Sequence, residues 1–141
     1  MPGDERKVIS MSLGAGGPAE PSADDTLEVR TEARGPCLLV EAEGDLTITT
    51  ADILRERVLD DMRAMDGPPL VVLDAGRVGF CDSSGLNALI IIWKAAHRAG
   101  GEFALAGLDR RFRTIIERSG LDRHLVSHPT AEEALDALAP R

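Results

Sequence analysis

Polar and apolar residues alternate at the start of the patterned region. Leu27, Val29, Thr31 and Ala33 interleave with Glu28, Arg30 and Glu32, the period of a strand with one face in solvent. Gly35-Pro36 is a turn signal, and Cys37–Ala42 reads as a second, more apolar strand paired antiparallel with the first, closed by Gly44-Asp45. The period then changes to that of a helix: Leu54, Val58, Met62 and Met65 recur on one face, with charged residues between them. Thr49 or Thr50 is the expected cap, Thr49 and Asp52 form a capping-box pattern, and Gly67-Pro68-Pro69 ends the helix. Leu70–Asp74 opens with four unbroken apolar residues, as in a strand buried on both faces. Val78–Leu89 then passes from an apolar strand into a helix through Asp82-Ser83-Ser84-Gly85. Helical periodicity runs from Leu86 to Ala99, with Leu86, Leu89, Ile90, Trp93 and Ala96 expected inward and Asn87, Ile91, Lys94 and Arg98 outward. A short strand at Phe103–Ala106 and a helix on Leu108, Phe112, Ile115 and Ile116, ended by Ser119-Gly120, follow. Leu125-Val126 is expected as a short edge strand, and Thr130 with Glu133 opens a last helix that turns Ala134, Leu135 and Leu138 inward.

This order, β-β-α-β-α-β-α-(β)-α, predicts an α/β fold: a mixed sheet of four to five strands packed against about four helices. The predicted domain covers residues 27–139, whereas 1–26, broken by glycines and prolines, reads as a disordered tail. Composition narrows the function. With 16 basic and 24 acidic residues the chain carries a net charge of −8, against the basic face a nucleic-acid binder needs. Aromatic content of 3% leaves no base-stacking platform. The longest apolar run, Ala88–Trp93, is far below the ~20 residues of a membrane span, and no apolar signal-peptide core is present. Two cysteines without C-x-x-C spacing make a disulfide scaffold an unfavourable reading and fit a cytoplasmic protein. No residues have metal-ligand spacing, and no cofactor motif stands out.

The chemistry concentrates at Asp82-Ser83-Ser84. A serine at a helix N-terminus has three readings: cap, nucleophile or phosphate acceptor. Asp and Ser are preferred caps, each contributing about 1 kcal/mol. A nucleophile needs a nearby base. Of the three histidines, His97 lies fourteen residues along the same helix, roughly 20 Å away, and His124 and His128 belong to the terminal segment. No Gly-x-Ser-x-Gly elbow surrounds Ser83. Asp74, at the end of a central strand, lacks the acidic pair that a Mg²⁺-dependent phospho-accepting aspartate requires. A phosphate on Ser83 or Ser84 adds about −1.5 to −2 charge at a helix N-terminus, where the dipole tolerates it. Such a modification leaves the fold intact and repels an acidic or closely docked partner.

Phe80-Cys81-Asp82-Ser83-Ser84-Gly85-Leu86 resembles the phosphorylation segment of STAS domains, specifically of bacterial anti-sigma factor antagonists. The resemblance extends from Leu27 to Leu138, through Gly44-Asp45-Leu46, Thr50-Ala51, Leu70–Leu73, Gly100-Gly101-Glu102, Ser119-Gly120-Leu121 and Ala131-Glu132-Glu133-Ala134-Leu135. It implies a STAS fold and a non-catalytic protein that binds an anti-sigma factor of the serine-kinase type and so releases a sigma factor. Phosphorylation of Ser83 by that kinase would inactivate it, and a PP2C-type serine phosphatase would reset it. Asp82 and Ser84 would shape the docking loop and Gly85 would let another backbone approach. The Gly-x-Leu-Asp pattern of the family meets Thr47 where it has an acid, with Asp45 two residues earlier, and both are expected partner contacts.

Asn87 and Ile91 on the helix that follows are further candidates. Ile91 is either covered by a neighbouring element or a docking contact beside Ser83. The free protein is expected to be a monomer. The alternative is a STAS scaffold or accessory subunit, of a stressosome or a lipid-transport ABC system, without sigma control. A nucleotide hydrolase is disfavoured because the chain has no Gly-x-x-x-x-Gly-Lys-Ser/Thr loop.

Overall fold

The computed structural model describes residues 26–140. The predicted tail, residues 1–26, lies outside them except for Thr26. The remainder folds as β1 (Leu27–Arg34), β2 (Cys37–Leu46), α1 (Ala51–Arg63), β3 (Leu70–Cys81), α2 (Ser83–Arg98), β4 (Glu102–Ala106), α3 (Arg110–Arg118), β5 (Val126–His128) and α4 (Ala131–Leu138), with one 3-10 turn at Leu121–Arg123. The strands form a single sheet in the order β1-β2-β3-β4-β5. β1 and β2 are antiparallel and the other pairs are parallel. The expected mixed α/β sheet is what forms, with five strands and four helices.

Alternation along the central strands divides the interior in two. One row (Leu38, Val40 and Ala42 of β2, Val71 and Leu73 of β3, Phe103 and Leu105 of β4) meets Leu54, Val58 and Met62 of α1, Leu89, Ile92 and Ala96 of α2, and Phe112 and Ile116 of α3. The opposite row is smaller: Cys37, Leu39, Val72 and Ala106 are covered by Ala134 and Leu135 of α4. Beyond α4 that face is solvated, and Arg30 on β1 lies 3.2 Å from Glu43 and 3.8 Å from Glu41 of β2.

Three expectations are corrected. β2 and β3 run on to Leu46 and Cys81, well past Ala42 and Asp74. Gly76 and Gly79 sit where the pairing of β2 with β3 skips a residue: Glu41 and Glu43 face Asp74 and Arg77, and Gly44 and Asp45 face Val78 and Phe80. They lie at bulges that let the strand continue. The inward face of α2 is rotated, with Gly85, Ala88, Leu89, Ile92 and Ala96 buried while Leu86, Ile90 and Trp93 are only partly covered. The edge strand begins at Val126, one residue later than its predicted start.

Candidate functional site

β2 and β3 run parallel and end level, Leu46 opposite Cys81, so the loops that leave them for α1 and α2 emerge side by side. Asp82 joins them. Its backbone N–H donates to Leu46 O at 3.0 Å, extending the ladder by one bond. Its side chain caps α2: Oδ1 accepts from Ser84 N at 2.9 Å and Gly85 N at 3.1 Å. Oδ2 reaches across to accept from Ile48 N at 3.1 Å, in the loop after β2. One carboxylate therefore fixes both loops, and it is Asp82 rather than either serine that caps the helix. Two of the first-turn N–H groups that the sequence leaves open for an anion are occupied by it.

The loop Thr47–Thr50 is held by its own hydroxyls. Thr50, 1% exposed, donates from Oγ1 to Asp45 O at 2.6 Å and accepts from Thr47 N at 2.9 Å. Its hydroxyl is thus turned back into the loop, and Thr50, the N-cap of α1, makes no side-chain cap bond to that helix. The expected Thr49–Asp52 capping box does not form: Thr49 Oγ1 lies 3.0 Å from Thr47 Oγ1, and Asp52 pairs with Arg55 at 2.9 Å. Gly44 is required just before this loop, because its φ of 128° and the carbonyl of Thr26 packed against its Cα leave no room for a Cβ.

Held this way, Ser83 is the first residue of α2, exposed, and its hydroxyl makes no hydrogen bond among the described residues. It opens onto a shallow hollow of about 410 Å³ between the starts of α1 and α2, lined by Ile48, Ala51, Asp52, Arg55, Ser83, Ser84 and Asn87. Ile48 is 75% exposed beside it. Phe80, 50% exposed, lies just upstream of Asp82 and lines a small cleft against Phe112 and Ile115 of α3. No histidine lines the hollow. His97 stacks on Trp93 instead and His124 lies tilted against it, with ring centroids 4.9 Å from the indole in each case. Ser83 is therefore an accessible hydroxyl with no histidine beside it, and the carboxylates near it are Asp82 and Asp52.

The structure gathers Ser83, Ser84 and Asn87 in one hollow, and the carboxylate of Asp82 bonds Ile48 in the loop that begins at Thr47, with Asp45 just before it at the end of β2. It does not bring Gly85 or Ile91 there. Gly85 is buried, and an added Cβ would lie 2.8 Å from Cys81 Sγ, Leu46 Cβ and Leu46 O. The backbone it lets approach is that of this chain, so Gly85 is corrected from a partner contact to a packing position. Ile91 lies eight residues from Ser83, about 12 Å along the helix. It lines a separate hollow with Leu59, Met62 and Pro69, so α1 covers it in part. Reading the sequence missed Ile48 and Arg55; the signal for Ile48 was an isolated large apolar residue among threonines.

The Cys81 thiol, beneath α2, is pushed up to about 12, chiefly by burial and secondarily by the Asp82 carboxylate, which makes it inert as a nucleophile at neutral pH. Among the described residues no group of His, Cys, Asp and Glu could hold a metal ion, and no helix is long and apolar enough to cross a membrane.

The fold and this strand-to-helix junction define a class. Residues 28–134 match the model of the STAS domain, and the chain belongs to that family. It is 26% identical over 112 residues to an anti-sigma F factor antagonist of Paenibacillus polymyxa, covering 79% of this chain and 95% of that one. The crystal structure of an anti-sigma factor antagonist from Mycobacterium paratuberculosis superposes with a TM-score of 0.73 at 25% identity, covering 81% of this chain and 95% of the other. SpoIIAA of Bacillus in its phosphorylated form shares the fold, with a TM-score of 0.62 at 18% identity and coverage of 79% and 99%.

Proposed function

We propose that the protein is an anti-sigma factor antagonist whose binding is switched at Ser83. In the unmodified state it binds a serine-kinase anti-sigma factor through the edge formed by Ile48, Phe80 and the Asp82–Ser84 turn, and the bound sigma factor is released. The kinase supplies the chemistry. Ser83 Oγ attacks the γ-phosphorus of ATP, the bond from that phosphorus to the oxygen of ADP breaks, and the hydroxyl proton passes to a base on the kinase. A PP2C-type phosphatase hydrolyses the ester, returning the hydroxyl and inorganic phosphate. The protein itself contributes position and accessibility, and carries out no catalysis.

The observation that carries this reading is the exposed Ser83 hydroxyl, unbonded at the first position of α2 while Asp82 does the capping. A serine needed for the fold would be making the cap bond itself. The names of the Paenibacillus and Mycobacterium relatives support the same role, and the phosphorylated form of SpoIIAA supports modification as the switch.

Intact mass after incubation with ATP and a serine-kinase anti-sigma factor that binds the protein tests it. Wild type and Ser84→Ala should gain one phosphate and Ser83→Ala none. No phosphate on wild type would overturn the switch and favour the scaffold alternative.

A further inference from the structure

Among the described residues, one cation, Arg55 on the first turns of α1, lines the hollow at Ser83. We infer that Arg55 is the internal counter-ion of phosphorylated Ser83, leaving Asp52 to take up the phosphate; this rests on the reading of Ser83 as a phosphate acceptor and specifies how the modified site is arranged.

Two observations converge on it. First, the helix terminus does not suffice for the phosphate. The Ser84 and Gly85 N–H groups already serve Asp82 Oδ1, and that carboxylate stands beside Ser83 as a like charge. A dianion placed there meets repulsion from Asp82 and from Asp52 across the hollow, so a cation within the hollow is needed to offset it. Second, Arg55 is available for the task. Its Nη1 pairs with Asp52 Oδ1 at 2.9 Å, one turn away on the same helix, and its Nη2 is 3.7 Å from Glu56. Exposed pairs of this kind contribute little, whereas a guanidinium on a phosphate dianion forms a charge-assisted, often bidentate contact.

The exchange has a consequence for the partner. When Arg55 turns to the phosphate, Asp52 and Glu56 lose their cation, and their negative charge faces outward on α1 beside the exposed Ile48. Modification of Ser83 is thereby relayed to carboxylates on a different helix. The repulsive surface is broader than the phosphate alone.

The test places the phosphate without a kinase, by incorporating phosphoserine at position 83 during translation, and follows its second ionisation by ³¹P NMR. That ionisation lies near pH 6 in a free phosphoserine. Arg55 contact lowers it, so Arg55→Gln should raise the titration midpoint by roughly half a unit or more. A contact pair resists screening, so the difference should persist at about 0.5 M salt, where the Debye length falls to roughly 4 Å. Equal midpoints in wild type and Arg55→Gln overturn the inference, as does a difference that disappears in salt, which would mean that Arg55 acts from a distance. Because the phosphate is installed directly, failure here is separable from failure of any kinase to modify Ser83. Unmodified Arg55→Gln should melt within roughly 2 °C of wild type, because an exposed pair contributes little.

Discussion

Two hollows lie along the contact of α1 with α2, similar in size and different in construction. The one at the helix starts, about 410 Å³, is walled by two loops that one carboxylate and a set of threonine hydroxyls hold in place. The one near the helix ends, about 480 Å³, is walled by Leu59, Met62, Pro69, Ile91 and Ala95, with Arg63, Lys94 and Arg98 at its rim. The second is walled mainly by apolar side chains that also pack the α1–α2 contact. The first presents a hydroxyl held out by a framework that does not use it. The difference marks Ser83 as a candidate functional serine, because its neighbour Asp82 does the structural work at that helix start.

If that contrast is correct, removing the neighbour should do more damage than removing the serine. Asp82→Ala loses a helix cap and a cross-loop bond to a charged acceptor, and should cost about 2 kcal/mol, roughly 8 °C in Tm by thermal denaturation. Ser83→Ala should leave Tm within roughly 2 °C, because no hydrogen bond is lost. Equal losses would mean that both residues support the fold. Ile48→Asp should weaken binding of the anti-sigma factor by roughly tenfold or more, about 1.4 kcal/mol, in calorimetric titration, whereas Ile91→Glu should leave it unchanged. A loss at Ile91 instead would move the docking surface to the other hollow. Gly85→Ala should destabilise by about 1 kcal/mol net, since overpacking against Leu46 outweighs the gain in helix propensity.

The smallest effect at neutral pH concerns Cys81. The folded thiol stays protonated up to about 12, while the unfolded chain ionises near 9. Between these values the folded protein holds a proton that the unfolded chain has released, so stability falls as pH rises through that window and Cys81 contributes nothing to pH dependence below it. Urea midpoints from pH 8 to 11 should decline less steeply in Cys81→Ala than in wild type. Cys37, also raised by burial, leaves a residual slope in the same direction.

Most of the fold was legible because its elements carry clean periods. The alternation of β1, the apolar run opening β3 and the Thr130 cap of α4 each report a local cause. The continuation of β3 through Gly76 and Gly79 was not legible, because a glycine at a bulge and a glycine that ends a strand look alike until the partner strand is known. At the site, Ser83 and Asp82 were visible as a motif, but the division of labour between them was not. It depends on Ile48 N, thirty-four residues away in sequence, offering the Asp82 carboxylate a third bond, at Oδ2. The roles of Gly85 and Thr50 were hidden for the same reason, since both pack against or bond to the end of β2.

The central claim is that modification of Ser83 changes binding and leaves the fold alone. The direct measurement is the affinity of the serine-kinase anti-sigma factor for unmodified protein and for protein carrying phosphoserine at position 83, with Tm measured on the same samples. A phosphate facing a closely docked surface should cost about 2 kcal/mol or more, weakening binding by roughly thirtyfold, while Tm stays within about 2 °C. Equal affinities for the two forms, or a weakened affinity accompanied by a collapse in Tm, would contradict the account.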